Sequence, residues 1–238
     1  MEFHKLTISD IQLETNDTIT IFFNISDNLK AKFKFHAGQY LTLKEIINGD
    51  EIRRAYSICT APNENRIGVT IKRVAGGRLS SFIHSNWKKG QLVEVGTPEG
   101  NFTIIADHDK MRNHFFIAAG SGITPIMSML KTILEDEPMS NCYLLYGSRS
   151  EDNIIFKESL ETLSKKHEGQ IQINYTLSNP NRSKEKGILG MLKKSVVTWK
   201  GDTGRISKEK INTFIDQSTV LQKRENNFYL CGPGDLIT

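Results

Sequence analysis

Two hydrophobic patterns divide the chain. Over roughly the first hundred residues, short runs rich in β-branched and aromatic residues alternate with turn-forming clusters such as SDN, NGD and APNEN. Several short strands at this spacing predict an antiparallel barrel or sandwich. The predicted strands cover residues 18–26, 39–46, 54–59, 66–74 and 91–96. Within this half, the apolar residues of 79–87 recur at helical spacing and predict one short helix.

The pattern changes after the polar stretch that contains residues 107–111. HFFIAAG is a near-continuous apolar run, as expected for a strand buried on both faces of a parallel sheet. From there, strands alternate with amphipathic helices, which predicts a doubly wound α/β domain. We therefore expect a β domain over 1–108 and an α/β domain over 109–238. The predicted helices cover 125–137, 154–167 and 207–216, and the predicted strands cover 114–120, 141–147, 171–178 and 226–233.

The composition and charge exclude several classes of protein. Hydrophobic residues make up 38% and charged residues 24% of the 238 residues, which is typical of a soluble globular protein. The net charge of +4 is spread along the chain, so we expect no nucleic-acid partner, although a mild positive excess favours an acidic protein partner. No stretch approaches the roughly 20 apolar residues of a membrane span, and the N-terminus has no signal-peptide pattern.

Cysteine usage points to a reducing compartment. Cys59, Cys142 and Cys231 are far apart and odd in number, so they predict neither a disulfide framework nor a metal site. We expect a cytoplasmic protein.

The strongest local signal follows the first strand of the α/β half. Gly120 and Gly122 would let the backbone approach a phosphate closely, and a helix that starts there would supply free N–H groups. Thr124 suits the N-cap and Pro125 the first turn. No acidic residue follows at the distance expected for a ribose hydroxyl, whereas Arg149 after the next strand suits a 2′-phosphate. The alternative is a plain tight turn between strand and helix.

Two stretches of the β half carry candidate chemistry. In RAYS, alternation places Arg54 and Tyr56 on one strand face and Ser57 on the other, so that a cation, an aromatic ring and a hydroxyl lie close together. A half-buried strand with a polar tip is the alternative. In KRVAGGRLSS, Gly76 and Gly77 precede a helix start, which is a second candidate anion site. Two such sites imply two phosphate-bearing ligands, or one long ligand held twice.

Taken in order, RAYS, IKRVAGGRLSS, AAGSGITPIMSML, YGSR and YLCGPG resemble the ferredoxin–NADP⁺ reductase superfamily over nearly the whole chain. The pattern is most similar to the flavin reductase components of multicomponent oxygenases, of the phenylacetyl-CoA epoxidase reductase type. The resemblance implies an FAD-binding β-barrel domain and an NAD(P)-binding α/β domain.

The resemblance also implies residue roles. Ser57, close to the flavin N5, and Cys231, beside the nicotinamide, would lie at the reacting centre. His36-Ala37 departs from the proline that the family usually has at this turn. The residues implied for FAD are Arg54, Tyr56, Ser57, Ile71, Lys72, Val74, Gly77, Ser80 and Ser81. Those implied for NADPH or NADH are Gly120, Gly122, Thr124, Arg149, Arg205, Gly232 and Pro233.

The function implied is transfer of a hydride from NAD(P)H to FAD, then of single electrons to an iron–sulfur centre and an oxygenase, as in aromatic degradation. The three cysteines do not have the spacing of a [2Fe–2S] site. We therefore expect that cluster only in a C-terminal domain beyond Thr238, and a chain that stops before its last helix. Two alternatives remain: a reductase of the same fold that serves ferredoxin, flavodoxin or a haem domain, and a non-catalytic nucleotide-binding regulatory subunit.

Overall fold

The N-terminal half is an antiparallel sheet that curls into a barrel. The structure, a computed structural model, describes residues 2–184, 195–218 and 224–234. The sheet has six strands in the order β4-β3-β6-β1-β2-β5. Its elements are β1 (Phe3–Thr15), β2 (Thr18–Asn24), β3 (Tyr40–Ile47), β4 (Asp50–Ser57), β5 (Ile67–Lys72), helix α1 (Arg78–Asn86) and β6 (Leu92–Gly96). A bridge between Ile58 and Val69 brings the two outer strands together, so the predicted barrel is confirmed.

Strand β1 has no counterpart among the predicted strands, although it is the longest strand of the barrel. It pairs with β2 from Thr7 to Thr15 and with β6 from Phe3 to Thr7, which places it in the middle of the sheet. Only three of its thirteen residues, Leu6, Ile8 and Thr15, are buried, and the register shifts between Ile8 and Asp10. Apolar and polar residues alternate in each half of the strand, but the bulge shifts the alternation by one residue between the halves, so no single period of two runs through β1.

The C-terminal half is a five-stranded parallel sheet with helices on both faces, as predicted. Its order is β12-β9-β8-β7-β13. The elements of this half are β7 (Arg112–Ala119), α2 (Ile123–Asp136), β8 (Asn141–Ser148), α3 (Lys157–Lys166), β9 (Ile171–Leu177), β10 (Arg182–Lys184), β11 (Ser195–Val197), β12 (Asp202–Thr203), α4 (Lys208–Ser218) and β13 (Glu225–Cys231). Strands β10 and β11 pair with each other as a separate antiparallel sheet. Residues of α2 and α3 pack in one apolar cluster and those of α4 in another, on the opposite face.

Two local predictions are wrong. Helix α3 begins at Lys157 and not at residue 154, because Phe156 has a φ of +62° and the preceding apolar residues pack in the core as a loop. Thr124 is not the N-cap of α2: the turn Gly120–Gly122 runs directly into the helix, so Thr124 lies inside its first turn. The predicted boundary at 108/109 falls between β6 and β7.

Among the described residues, no helix combines the length and the apolar character that a membrane crossing requires.

A buried charge closes the amino-terminal edge of the parallel sheet. The Glu137 side chain is fully buried, yet its carboxylate pairs with Arg112, accepts bonds from His114 Nε2 (3.0 Å) and Ser140 Oγ (2.7 Å), and binds the backbone N–H of Asp107 (2.9 Å). Burial raises the pKa of Glu137, but these donors outweigh it and hold the pKa below its usual range. Glu137 therefore ties the entry to β7 to the end of α2.

Glu137→Gln should lower the free energy of unfolding by about 3 kcal/mol, because it leaves Arg112 beside a buried neutral group. The pKa of Glu137 lies below its ordinary 4.5 in the folded chain, so its stabilisation is present above that pH and is lost as the pH falls through the folded value. Urea unfolding at pH 7 and at pH 4 measures both effects.

The matched control is Glu135→Gln, which removes an exposed ion pair between the last turn of α2 and Lys166 of α3 and should cost less than about 1 kcal/mol. Equal losses in the two variants would contradict a special role for Glu137.

Candidate active site: a cleft at the sheet switch point

An open cleft lies at the carboxyl edge of the parallel sheet, on the side of the barrel. The first and last strands, β7 and β13, are neighbours, so the chain order reverses between them. Ligands of open α/β sheets bind at this switch point. The cleft has a volume of about 360 Å³. It is lined by Lys72, Ala119, Gly120, Gly147, Ser148, Arg149, Ser178, Gly204, Arg205, Ile206 and Pro233.

Gly122 makes the switch point tight. A Cβ at this position would lie 2.1 Å from the carbonyl oxygen of Cys231 and 2.8 Å from the amide nitrogen of Gly232. Only a glycine lets the end of β13 pack against the start of α2. The pair of sequence motifs GSGITP and CGPG is thus brought together by backbone contact.

Gly120 begins the same Gly120–Gly122 turn, and its backbone conformation favours a glycine there. Its φ is +55°, a conformation that costs other residues strain, and nothing lies within 4 Å of a Cβ built there. The position therefore faces open space in the cleft. No side chain caps the N-terminus of α2, since the Thr124 hydroxyl donates to the Ser121 carbonyl oxygen (2.8 Å) instead. The helix start is available to an anion.

Three cations line the cleft: Lys72 from the barrel, and Arg149 and Arg205 from the α/β half. None of the described lining residues is acidic. Asp17, which does not line the cleft, forms an ion pair with Lys72, its carboxylate lying 3.6 Å from Lys72 Nζ. Burial raises the pKa of Asp17, but Thr15, Thr18 and Lys72 together lower it below its usual range, so Asp17 is ionised at neutral pH. The lining keeps an excess of positive charge that suits phosphates.

A second opening separates β4 from β5 in the barrel. The Ile58–Val69 bridge is antiparallel, so the segments 54–57 and 70–74 leave it on the same side. The described residues form no further bridge between these two strands. The predicted FAD residues of both segments consequently lie on the two stretches of chain that border one gap, with the Ile71 side chain packed in the barrel core.

The RAYS stretch forms the β4 side of that gap. Arg54 is exposed and donates to the Arg53 carbonyl oxygen (2.7 Å), and it forms no ion pair within the described ranges. Tyr56 packs against the barrel core, and burial raises its pKa to about 12 although Arg54 opposes the shift. The neutral Tyr56 ring could pack against an aromatic ring of a ligand, and the Arg54 guanidinium beside it could bind a phosphate of the same ligand. Ser57, on the other face, is half-buried.

The loop after β5 is organised by its own hydroxyls. Ser80 Oγ accepts the backbone N–H of Val74 (3.2 Å), and Ser81 Oγ lies 3.5 Å from the Val74 carbonyl oxygen. A Cβ on Gly77 would lie 2.7 Å from Ser80 Oγ, so the turn requires a glycine there. The Ile71 carbonyl oxygen bonds His84 Nε2 (2.9 Å), which leaves His84 a structural role. The start of α1 has no side-chain cap, so its N–H groups fit a phosphate.

Cys231 ends β13, and it is partly buried against the α2 cluster. Burial raises the pKa of its thiol, so the group is protonated at neutral pH and is no nucleophile. Cys59 and Cys142 are fully buried, with thiol pKa values raised by the same cause.

Several cleft residues escaped the sequence analysis, namely Ser178, Gly204 and Ile206. The first follows β9, and the other two follow β12, at the carboxyl ends of parallel strands. β12 has two residues, too few to show a pattern. The rule that ligands bind beyond the carboxyl ends of parallel strands would have identified Ser178 as a candidate, because it ends a predicted strand.

Fold and site together define a two-domain protein with a cationic cleft at the switch point of its parallel sheet and a second opening in its barrel. Comparison with known families agrees: an oxidoreductase FAD-binding domain matches residues 5–104, and an oxidoreductase NAD-binding domain matches residues 116–238. The chain belongs to this family of FAD- and NAD-binding oxidoreductases, and the resemblance found in the sequence is confirmed.

Two curated relatives show the range of the family. A subunit of 1,2-phenylacetyl-CoA epoxidase from Escherichia coli (strain K12) is 31% identical over 99% of this chain and 62% of its own length. The ferredoxin reductase component of 3-ketosteroid-9-alpha-monooxygenase from Rhodococcus rhodochrous is 36% identical over 73% of this chain and 49% of its own length. The chain thus spans half to two thirds of these relatives.

Among solved structures, the CS-b5R domains of human Ncb5or in an NAD⁺ form superpose with a TM-score of 0.79. The identity is 25%, and the match covers 99% of this chain and 63% of that one.

Gly122→Ala should destabilise the chain by about 3 kcal/mol, because the new Cβ meets backbone of β13 that has no room to move. Gly120→Ala is the matched control: it meets no atom and should cost only about 1 kcal/mol of left-handed strain. Urea unfolding measures both. A Gly122 variant no less stable than the Gly120 variant would show that the β13 contact does not constrain the fold.

Proposed function

We propose that the protein is an NAD(P)H-dependent flavoprotein reductase that passes electrons to an oxygenase component. One observation carries the proposal: the cationic cleft at the switch point of the parallel sheet is partly lined by Lys72, which stands at the end of the strand that borders the FAD gap. A nicotinamide nucleotide in the cleft and FAD in the gap would therefore meet at the end of β5.

The chain's own residues bind and orient. Gly120 and the start of α2 would hold the pyrophosphate of the nicotinamide nucleotide, and Arg149 and Arg205 its adenosine end. Gly232 and Pro233 would bring Cys231 to the nicotinamide. This protonated thiol supplies a small, polarisable surface and no charge.

On the barrel side, Arg54 would neutralise an FAD phosphate, Tyr56 would pack against the flavin, and Ser57 would lie near its N5. The turn that contains Val74 and Gly77, with the start of α1, would cradle the FAD pyrophosphate, and the hydroxyls of Ser80 and Ser81 shape that turn. Bound FAD supplies the change from two-electron hydride chemistry to one-electron transfer.

The relatives support the choice of acceptor. One belongs to an epoxidase and another is named as the ferredoxin reductase component of a monooxygenase. We assign the same kind of task to this chain, with an iron–sulfur centre outside its 238 residues as the next carrier. Three unpaired cysteines fit a cytoplasmic site of action.

The proposal is tested by loading the purified chain with FAD and mixing it anaerobically with NADPH. We expect loss of the oxidised flavin absorption within seconds, and its return when an artificial one-electron acceptor is added. Protein that binds FAD but leaves it oxidised would support the regulatory-subunit alternative. Protein that binds no FAD would overturn the proposal altogether.

Arg149 should favour NADPH over NADH, because a guanidinium suits a 2′-phosphate and no carboxylate lines the described cleft to bind a free ribose. Arg149→Ala should raise the KM for NADPH by roughly 10-fold and leave the KM for NADH nearly unchanged. Steady-state assays with both nucleotides measure this. Equal effects on the two would contradict the assignment.

A further inference from the structure

Helix α2 is bonded to the barrel by a buried hydrogen bond as well as to its own sheet. Ser128 Oγ donates to the carbonyl oxygen of Thr60 (2.6 Å). Ser128 is fully buried and Thr60 is 1% exposed, so this bond is shielded from water. The Thr60 hydroxyl in turn accepts the backbone N–H of Gly68 (3.2 Å), which fixes the segment against β5.

One turn further along α2, an ion pair repeats the connection. Lys131 Nζ lies 2.8 Å from Glu64 Oε1, and each side chain is 26% exposed. The same Glu64 oxygen accepts the backbone N–H of Ala61 (2.9 Å). The Glu64 carboxylate thus holds its own loop through Ala61 and binds helix α2 through Lys131.

Apolar contacts complete this seam. Ala37, Cys59 and Ile104 of the barrel half pack in the same cluster as the buried face of α2. A Cβ on Gly38 would lie 2.4 Å from Met129 Cε, which shows how closely the helix approaches. The seam therefore consists of a buried hydrogen bond, an ion pair and close apolar packing.

The position of the seam relates it to both proposed cofactor sites. The turn that leads into α2 borders the nucleotide cleft at Gly120, and Ser128 lies eight residues further along the chain. On the other side, Thr60 follows Ser57, the end of the RAYS strand, by three residues. The segment 58–64 and helix α2 form a short, bonded path from one site to the other.

We propose that Ser128 and the Lys131–Glu64 pair are positioning residues, which set the separation and angle between the nicotinamide nucleotide and FAD. This inference rests on the proposed function. Neither group borders the cleft, so neither touches the reacting atoms. Small misplacements of two reactants slow a reaction steeply, whereas a partly exposed ion pair contributes little to stability. The pair should therefore influence rate more than folding.

The test uses full-length variants loaded with FAD and mixed with saturating NADPH. Lys131→Met, Glu64→Gln and Ser128→Ala should each lower the limiting rate constant of flavin reduction roughly 10-fold, with unchanged affinity for FAD and for NADP⁺. The double variant Lys131→Met/Glu64→Gln should be no slower than Glu64→Gln alone, because the Lys131–Glu64 ion pair is already absent from that single variant. Lys131→Arg should restore the rate.

Lys166→Met is the matched control, since it breaks an ion pair between α3 and α2 that lies away from the barrel. It should leave the rate constant unchanged. Seam variants that reduce flavin at the wild-type rate would overturn the proposal, as would losses that follow a lower melting temperature or that Lys131→Arg fails to restore.

A readout without cofactors separates this inference from the proposed function. In the cofactor-free protein, Lys131→Met should increase hydrogen exchange in both 58–64 and 120–124, and Lys166→Met should not. If wild-type protein is never reduced by NADPH, the proposed function fails, while coupled exchange would still show that the seam joins the two segments. If Lys131→Met leaves hydrogen exchange unchanged in both segments, the inference that the seam couples them is overturned.

Discussion

The architecture of the site depends on one backbone contact, in which the end of β13 packs against Gly122 with no space for a Cβ. The parallel pairing of β13 with β7 makes neighbours of the first and last strands, and this contact packs the end of β13 against the turn that begins α2 at the resulting switch point. The GSG turn can then present its open Gly120 position and the uncapped start of α2 to the cleft. Because these backbone groups are fixed, a phosphate bound by them would lie at a defined position beside the cations of the cleft.

The two edges of the parallel sheet have opposite electrostatic designs. At the amino edge, the buried Glu137 is satisfied by Arg112, His114, Ser140 and a backbone N–H, so its charge serves stability. At the carboxyl edge, cations line an open cleft, and none of its described lining residues is acidic. An anion-binding site needs an excess of positive charge, which does not itself stabilise the fold. The paired charges around Glu137 at the opposite edge provide that stabilisation.

Residues with strong local signals were predictable from the sequence, and residues placed by distant contacts were not. Four of the five parallel strands (β7, β8, β9 and β13) and α2 were predicted because buried apolar runs and helical spacing show directly in the sequence, whereas β12 has only two residues and was not predicted. β1 was missed since a bulge hides its alternation, and α3 starts late because tertiary packing holds Phe156 at a positive φ. The sequence placed Lys72 with FAD; only the folded chain shows that its side chain lines the nucleotide cleft.

Backbone hydrogen exchange shows whether two nucleotides meet across the junction of barrel and sheet. FAD alone should protect residues 54–57 and 71–81. Addition of NADP⁺ to the FAD-loaded protein should then protect 120–124, 147–149 and 204–206, and should deepen protection around Lys72. Protection by NADP⁺ that appears elsewhere, or that leaves the carboxyl ends of β7 and β8 unchanged, would contradict the account.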